Sequence, residues 1–304
     1  MATLEITYNI LIPIFLIAGV FAVLDRHMHI DPQPASRMVV YVFAPALIFR
    51  SLAFMEISAG EAGLLFGSTV IITLLAAGLG NGFVRVIGFD RRQESAFTLS
   101  LIFANLGNYG LPLNRLAFGD PGLERAVICM VASLLMGYTI GIFFASRGNT
   151  SNRSAMLNVL KNPMPYAAAF GLLFNAANLN LPDTLVNTLN LAAQAAEPLM
   201  LAVLGIQLSR TWQIGIGGML RFSLFATIFR LIVAPLIAFP ITALLGMSGI
   251  TRDVAIVQTS MPTAVLAGVL ATEFGADAES VTATILISTL TSIITLSVLL
   301  SILL

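Results

Sequence analysis

The amino-acid sequence predicts an all-α polytopic membrane protein of ten transmembrane helices, arranged as two inverted five-helix repeats with broken, crossing helices 4 and 9. Three observations support this fold class: a membrane-like composition, long uncharged runs along the whole chain, and prolines that recur at a near-constant interval. Of the 304 residues, 58% are hydrophobic and only 10% are charged. An ordinary soluble domain is about one quarter charged.

The charge balance and the cysteine content exclude several classes of protein. The chain carries 15 basic and 15 acidic residues, so it lacks the basic surface that a nucleic-acid-binding protein requires. Cys129 is the single cysteine, which excludes an internal disulfide and a metal site built from several cysteines. The sequence therefore predicts no metal site and no bound cofactor.

The spans are predicted from stretches without Asp, Glu, Lys or Arg, because about 20 apolar residues cross the hydrocarbon core as a helix. Eight such runs have at least 19 residues: 6–24, 62–84, 95–114, 126–146, 162–182, 231–251, 254–272 and 280–304. Two further spans, 36–55 and 184–208, are each interrupted by one internal charge, Arg50 and Glu197; Arg37, at the start of the first, is counted with the preceding loop. The eighth span is expected to start near Phe222 and to contain Arg230.

The loop charges predict the orientation of these spans. Ten of the 15 basic residues fall in loops on one side and three on the other, and the side richer in Lys and Arg is normally cytoplasmic. Both termini are then expected outside, in the periplasm or the extracellular space. The N-terminus lacks the basic segment of a signal peptide, so the first helix is expected to be retained. The protein is expected to lie in the cell inner (plasma) membrane.

A hydrophilic stretch divides the chain into two halves. We predict a first repeat over 1–146, a cytoplasmic linker over 147–161 and a second repeat over 162–304. Five spans per half give the halves opposite topology, as in many transporters. Prolines support the repeat, since Pro13 and Pro165, Pro45 and Pro198, and Pro112 and Pro262 are offset by 152, 153 and 150 residues.

Span 4 contains the segment NLGNYGLPL, residues 105–113, which is unfavourable for a continuous helix. Its glycines cost about 1 kcal/mol each and its proline about 3 kcal/mol relative to alanine. A break at this depth leaves backbone N–H and C=O groups unpaired, which is tolerated only where the segment lines a cavity or is buried in protein. The segment is therefore predicted to be an interruption of the helix at a functional site.

Span 9 contains a comparable segment, QTSMPTAV, residues 258–265. Aligning Pro112 with Pro262 pairs the carboxamides of Asn108 and Gln258. Half-helices that begin after such breaks present free N–H groups and a positive dipole end, which favour an anion. The half-helices before the breaks direct carbonyl groups inward, where a cation is favoured.

With these two motifs and the 5+5 layout, the chain resembles the auxin efflux carrier family from span 1 to span 10. The resemblance implies a fold similar in outline to that of sodium–bile-acid symporters. It implies a scaffold of spans 1, 2, 6 and 7 that often forms a homodimer, and a mobile transport domain of spans 3–5 and 8–10. It also implies elevator-like transport of a substrate bound where spans 4 and 9 cross. Residues 105–113 and 258–263 contain no Asp or Glu, which argues against sodium coupling and favours a proton or no ion.

The candidate residues follow from these considerations. Substrate contacts are expected from the two interrupted segments and from one intramembrane arginine, namely Asn105, Asn108, Tyr109, Gly110, Pro112, Gln258, Thr259, Ser260, Pro262, Thr263 and Arg230. A charge inside a span is costly and is a functional hypothesis by default; Arg230 either binds a carboxylate or extends towards the interface. Glu197 is a candidate proton-coupling residue, or pairs with Arg50 or another cation.

The leading function is a secondary active transporter for a small organic anion, such as a carboxylate. Alternatives are a drug/metabolite-type carrier of a neutral or cationic solute, a sodium-coupled carrier, and a receptor that binds without transport. An enzyme is disfavoured, because both histidines lie in a loop, no Asp lies within a span, and the chain has no phosphate-binding loop.

Overall fold

A computed structural model of the protein describes residues 3–137, 162–214 and 219–304. The described residues form helices and no strand. The predicted linker, 147–161, and the second half of span 5 lie outside the described residues. The helices, labelled here in chain order, are α1 (Leu4–Met28), α2 (Pro32–Ala53), α3 (Ala59–Ile87), α4 (Arg91–Ile102), α5 (Leu111–Met136), α6 (Pro163–Ala176), α7 (Asp183–Ile214), α8 (Leu220–Leu244), α9 (Gly249–Thr259), α10 (Val265–Glu273) and α11 (Ala278–Leu303).

Six of these helices, α1, α2, α3, α7, α8 and α11, are long and apolar enough to cross a membrane. The all-helical, multi-span class predicted from the sequence is therefore confirmed. The other predicted spans are divided or short in the described part of the chain. Span 4 is split between α4 and the start of α5, span 9 is split between α9 and α10, and α6 has 14 residues. A count of ten helices remains a prediction.

Prolines shape four helices in the same way. The π-helical segments Thr7–Leu11, Val39–Phe43, Leu106–Gly110 and Phe229–Val233 each end two residues before a proline. Proline has no N–H and its ring clashes with the carbonyl one turn earlier. Widening that turn to the π geometry separates the two groups, so these helices continue through the proline.

The helices form two groups, and the most extensive contacts between helices lie within each group. In the first group, α7 packs along α1 and α2, and α6 packs along α2. In the second group, α3 packs against α4, α5 and α8, while α11 packs against α8 and α10, and α5 against α9. The contact of α7 with α1 is close because α7 carries Gly205 opposite the main chain of Ala18.

Replacing Gly205 by alanine is expected to lower the stability of the protein by about 1–3 kcal/mol, the usual cost of overpacking. A Cβ at this position would lie 2.8 Å from the carbonyl carbon of Ala18 and overlap its oxygen, and helix backbone moves less readily than a side chain. The measurement is the melting temperature of the purified protein. Gly78→Ala is the matched control, because a Cβ there meets nothing within 4 Å. Equal melting temperatures would contradict the close contact.

Candidate functional site

The two interrupted helices meet at their interruptions. Between α4 and the π-helical turn lie residues 103–105, and between α9 and α10 lie residues 260–264. Ala104 and Thr263 form an isolated antiparallel bridge. The Asn105 N–H donates to the Pro262 carbonyl, and the Ala264 N–H donates to the Phe103 carbonyl, both at 2.8 Å. Some of the backbone groups freed by each break are thus satisfied by the other segment, as a buried chain requires.

The position of the first interruption differs from the prediction. Leu106–Gly110 forms a π-helical turn, and Pro112 is the second residue of α5, so a prediction of irregular chain through residues 106–112 was wrong. The π-helical turn before Pro112 separates the proline ring from the carbonyl one turn earlier, so the helix that begins at Leu106 continues through this proline. The non-helical residues therefore precede most of the NLGNYGLPL motif, which itself starts the following half-helix.

Hydroxyl groups near the second interruption bond mainly to carbonyl groups. Thr259 Oγ1 donates to the Ala255 carbonyl at 2.8 Å, and Ser260 Oγ donates to the Ile256 carbonyl at 2.6 Å. Thr263 Oγ1 reaches the Ser100 carbonyl of α4 at 3.0 Å. These three hydroxyls satisfy backbone acceptors around the break, and none of them lines the cavity described below.

Gln258 and Tyr109 are fully buried beneath the interruptions. The Gln258 carboxamide donates through Nε2 to the Ala126 carbonyl at 3.0 Å, and its Oε1 has no partner among the described residues. Gly110 lies directly against this carboxamide, since a Cβ there would overlap Oε1. The Tyr109 hydroxyl accepts from Ser292 Oγ at 3.3 Å. The pairing of Asn108 with Gln258 by proline alignment therefore does not place the two amides in one cavity.

Arg230 lies in the π-helical segment of α8 and is only 2% exposed. Its Nε donates to the Met261 carbonyl at 2.7 Å, and its Nη1 donates to the Leu101 carbonyl at 3.0 Å. The guanidinium thus holds the ends of both interrupted helices. It is buried between these helix ends, and it is not among the residues that line the cavity.

A cavity of about 330 Å³ opens beside the meeting point, and we call it the interruption cavity. Its walls come from α2, residues 103–108, α5, α7 and α10, with Asn162 and Met164 at the start of α6. Its polar side chains are Ser36, Asn105, Asn108, Ser133, Asn162 and Gln207. The remaining lining is apolar or backbone, and no lining residue is charged.

Two helix starts face this cavity. Val265 and Leu266 are the first residues of α10, and Gly107 and Asn108 belong to the π-helical turn before α5; all four line the cavity. N–H groups in the first turn of a helix have no acceptor within that helix. They carry the positive end of the helix dipole. The cavity therefore offers backbone donors without an ionised side chain, which is an arrangement suited to a carboxylate.

The sequence-predicted residues are distributed unequally around this site. Asn105 and Asn108 line the interruption cavity, while the other candidates are not among its lining residues. Four polar residues that sequence reasoning missed also line it: Ser36 of α2, Ser133 of α5, Asn162 before α6 and Gln207 of α7. The Gln207 Oε1 is buried and has no partner among the described residues. The feature of the sequence that could have identified Gln207 is that it is an isolated polar residue within the apolar run LAVLGIQL, residues 201–208.

Glu197 lies away from the cavity, on α7. It pairs with Arg115 of α5, with 3.4 Å between Oε1 and Nη1. Arg115 also pairs with Asp120 at 3.0 Å. Arg50, the partner considered from the sequence, instead donates to the Asn190 Oδ1 at 2.5 Å. The Arg115–Glu197 pair joins the two groups of helices.

Comparison with known proteins agrees with this architecture. Residues 9–300 match the family described as membrane transport protein. An uncharacterized transporter of Methanothermobacter thermautotrophicus is 29% identical over 97% of both chains, and one of Methanocaldococcus jannaschii is 27% identical over 86% of both. The chain is thus a multi-pass membrane transporter and not an enzyme. It belongs to the membrane transport protein family, that of the auxin efflux carriers.

Proposed function

We propose that the protein is a secondary active transporter for a small organic anion, and that it binds a carboxylate group in the interruption cavity. The observation that carries this proposal is the convergence of two helix starts, at Val265 and at Gly107, on one uncharged cavity. Helix N-termini bind anions through free N–H groups and the dipole. Amides of Asn105, Asn108 and Gln207 supply further donors.

The absence of a charged group from the cavity lining suits a carrier. An arginine or lysine would bind a carboxylate strongly, whereas neutral donors permit release on the other side of the membrane. The apolar lining, including Phe103, Met130 and Leu134, favours a ligand with an apolar portion beyond the carboxylate. A volume of about 330 Å³ corresponds to the small end of ordinary ligand sites.

We further propose an elevator mechanism in a ten-helix, inverted-repeat protein whose interrupted spans cross. The first group of helices, with α1, α2, α6 and α7, would form the scaffold and the surface for a homodimer. The second group would form the moving transport domain. The interruption cavity supports this division, because α2 and α7 form one wall and α5, α10 and the interruption form the other.

The same cavity supports an inward-facing arrangement. Ser36 lies beside Arg37, and Asn162 follows Lys161; both basic residues belong to the side predicted to be cytoplasmic. A carboxylate bound here would thus exchange with the cytoplasm. The protein itself would lie in the inner membrane of the cell.

Asn108→Ala and Gln207→Ala are each expected to weaken carboxylate binding by about tenfold, because each removes a hydrogen bond to a charged group. A panel of carboxylates with matched salts is added to purified protein, and the rise in melting temperature gives the dissociation constant. Uptake into proteoliposomes then separates a transporter from a receptor.

Asn187→Ala removes an exposed amide of α7 outside the cavity and serves as the control. The proposal fails if no carboxylate is bound or transported. The site assignment fails if both cavity variants bind as tightly as the wild-type protein.

A further inference from the structure

The two interrupted helices end in carbonyl groups that lie close together. Leu101 is in the last turn of α4, and Met261 follows the end of α9 by two residues. The C-terminal end of a helix carries partial negative charge on carbonyls without intrahelical donors. In interrupted membrane helices, such ends form sites for sodium ions or protons. The partial negative charge of these two carbonyls therefore favours a positive charge beside the interruption cavity.

Arg230, which belongs to a third helix, α8, supplies this positive charge. Its Nε and Nη1 donate to the Met261 and Leu101 carbonyls, at 2.7 Å and 3.0 Å, and the side chain is 2% exposed. Among the described residues, no ion pair includes Arg230. A buried charge is stable only where other groups compensate for its lost hydration. The two helix ends supply that compensation here.

The planar guanidinium suits this position. It presents several N–H donors in a fixed geometry and stays protonated under ordinary conditions, so one side chain spans two carbonyls of different helices. The π-helical turn Phe229–Val233 that carries Arg230 arises from Pro235. A cation is thereby built into the fold and cannot dissociate during a transport cycle.

We propose that Arg230 is a tethered cation that replaces an inorganic ion at the carbonyl ends of α4 and α9, and that anion binding consequently needs no sodium. The inference rests on the proposed function where it concerns the anion. Arg230 acts as a positioning residue: by holding both helix ends together, it fixes the segments 103–105 and 260–264, from which the two helix starts emerge. A sodium ion at the same carbonyls would meet the like charge of the guanidinium.

The first test uses the wild-type protein. Carboxylate binding and proteoliposome uptake are measured in sodium, potassium and choline chloride at equal ionic strength. We expect the same affinity and rate in all three salts. A gain of about tenfold or more in sodium, which corresponds to about 1.4 kcal/mol, would overturn the proposal.

The second test removes the tethered cation. Arg230→Ala is expected to lower the melting temperature without ligand, and millimolar guanidinium is expected to restore much of the loss by occupying the vacated space. Arg230→Lys should retain part of the stability, because it keeps the charge but not the two-carbonyl geometry. Arg221→Ala in the same helix is the control; its guanidinium lies near Phe89 and Phe225, and no rescue is expected.

The outcomes separate the two proposals. Folded Arg230→Ala protein that responds neither to guanidinium nor to an alkali cation would overturn the tethered-cation proposal. Loss of carboxylate binding without any change in ligand-free stability would do the same, because it would make Arg230 a ligand of the substrate. If Arg230→Ala does not fold, the stability of Arg230→Lys and the wild-type binding in the three salts test the proposal instead. Rescue of stability in a protein that binds no carboxylate would leave the tethered cation standing and refute the proposed function.

Discussion

Val265→Pro is expected to weaken carboxylate binding by about tenfold or more while the fold is retained. Val265 is the first residue of α10 and lines the interruption cavity, so its N–H has no intrahelical acceptor. Proline is well accommodated at this helix position. Ala264 already has the extended backbone, with φ −79° and ψ 149°, that is preferred before proline. The substitution therefore deletes one donor, and a hydrogen bond to a charged group contributes about 1.5–3 kcal/mol.

Val265→Ala is the matched control, because it shortens the side chain but keeps the N–H. Dissociation constants for the preferred carboxylate are obtained from melting temperatures at increasing ligand concentration. The proline variant should bind much more weakly than the alanine variant, and the two ligand-free proteins should melt at similar temperatures. Equal affinities for the two variants would show that the start of α10 does not contact the anion.

The sequence predicted that spans 4 and 9 are interrupted, because their prolines, and the glycines of span 4, disfavour a continuous helix. Asn105 and Asn108 were identified within a segment whose glycines and proline disfavour a continuous helix, and both line the cavity. The proline alignment did not match the two interruptions to each other. Pro112 lies inside the helix that follows residues 103–105, whereas Pro262 lies within the interruption 260–264 itself.

The roles of individual polar residues were harder to predict, because a hydroxyl or amide near a break serves either a ligand or the backbone. Thr259 and Ser260 donate to carbonyls one turn earlier, a local bond that the sequence alone does not distinguish from ligand contact. The role of Arg230 was equally hard to predict, because the two carbonyl groups that it binds, those of Leu101 and Met261, belong to distant parts of the sequence. Gln207 joins the cavity through the packing of α7; its isolation within an apolar run marks it as unusual but does not identify the helices that it faces.

Glu197→Gln is expected to flatten the pH dependence of carboxylate uptake. The ion pair between Glu197 and Arg115 joins α7 of the proposed scaffold to α5 of the proposed transport domain. The two helices slide past each other in an elevator cycle, so the pair must separate. Protonation of Glu197 removes its negative charge and favours the separated state. Uptake by the wild-type protein should therefore rise as the pH falls, and a glutamine should mimic the protonated state at every pH.

The size of the effect follows from the environment of the pair. The side chains of Arg115 and Glu197 are 33% and 17% exposed, so solvent screens much of their attraction. A contribution of about 1 kcal/mol is expected, which changes the ratio of two conformations roughly fivefold. Labelling of Gln207→Cys with a membrane-impermeant thiol reagent from the cytoplasmic side reports the inward-facing population. Cys129, the single native cysteine, is fully buried and adds little background.

Asp120→Asn is the matched control for this experiment. Asp120 also pairs with Arg115, at 3.0 Å, but lies in the same helix, α5, and thus does not connect the two groups. The Asp120 variant should keep the wild-type pH profile, whereas the Glu197 variant should lose it and label more slowly at Gln207→Cys. If both variants keep the wild-type profile, Glu197 carries no proton in the cycle, and the pair contributes only to the packing of α5 against α7.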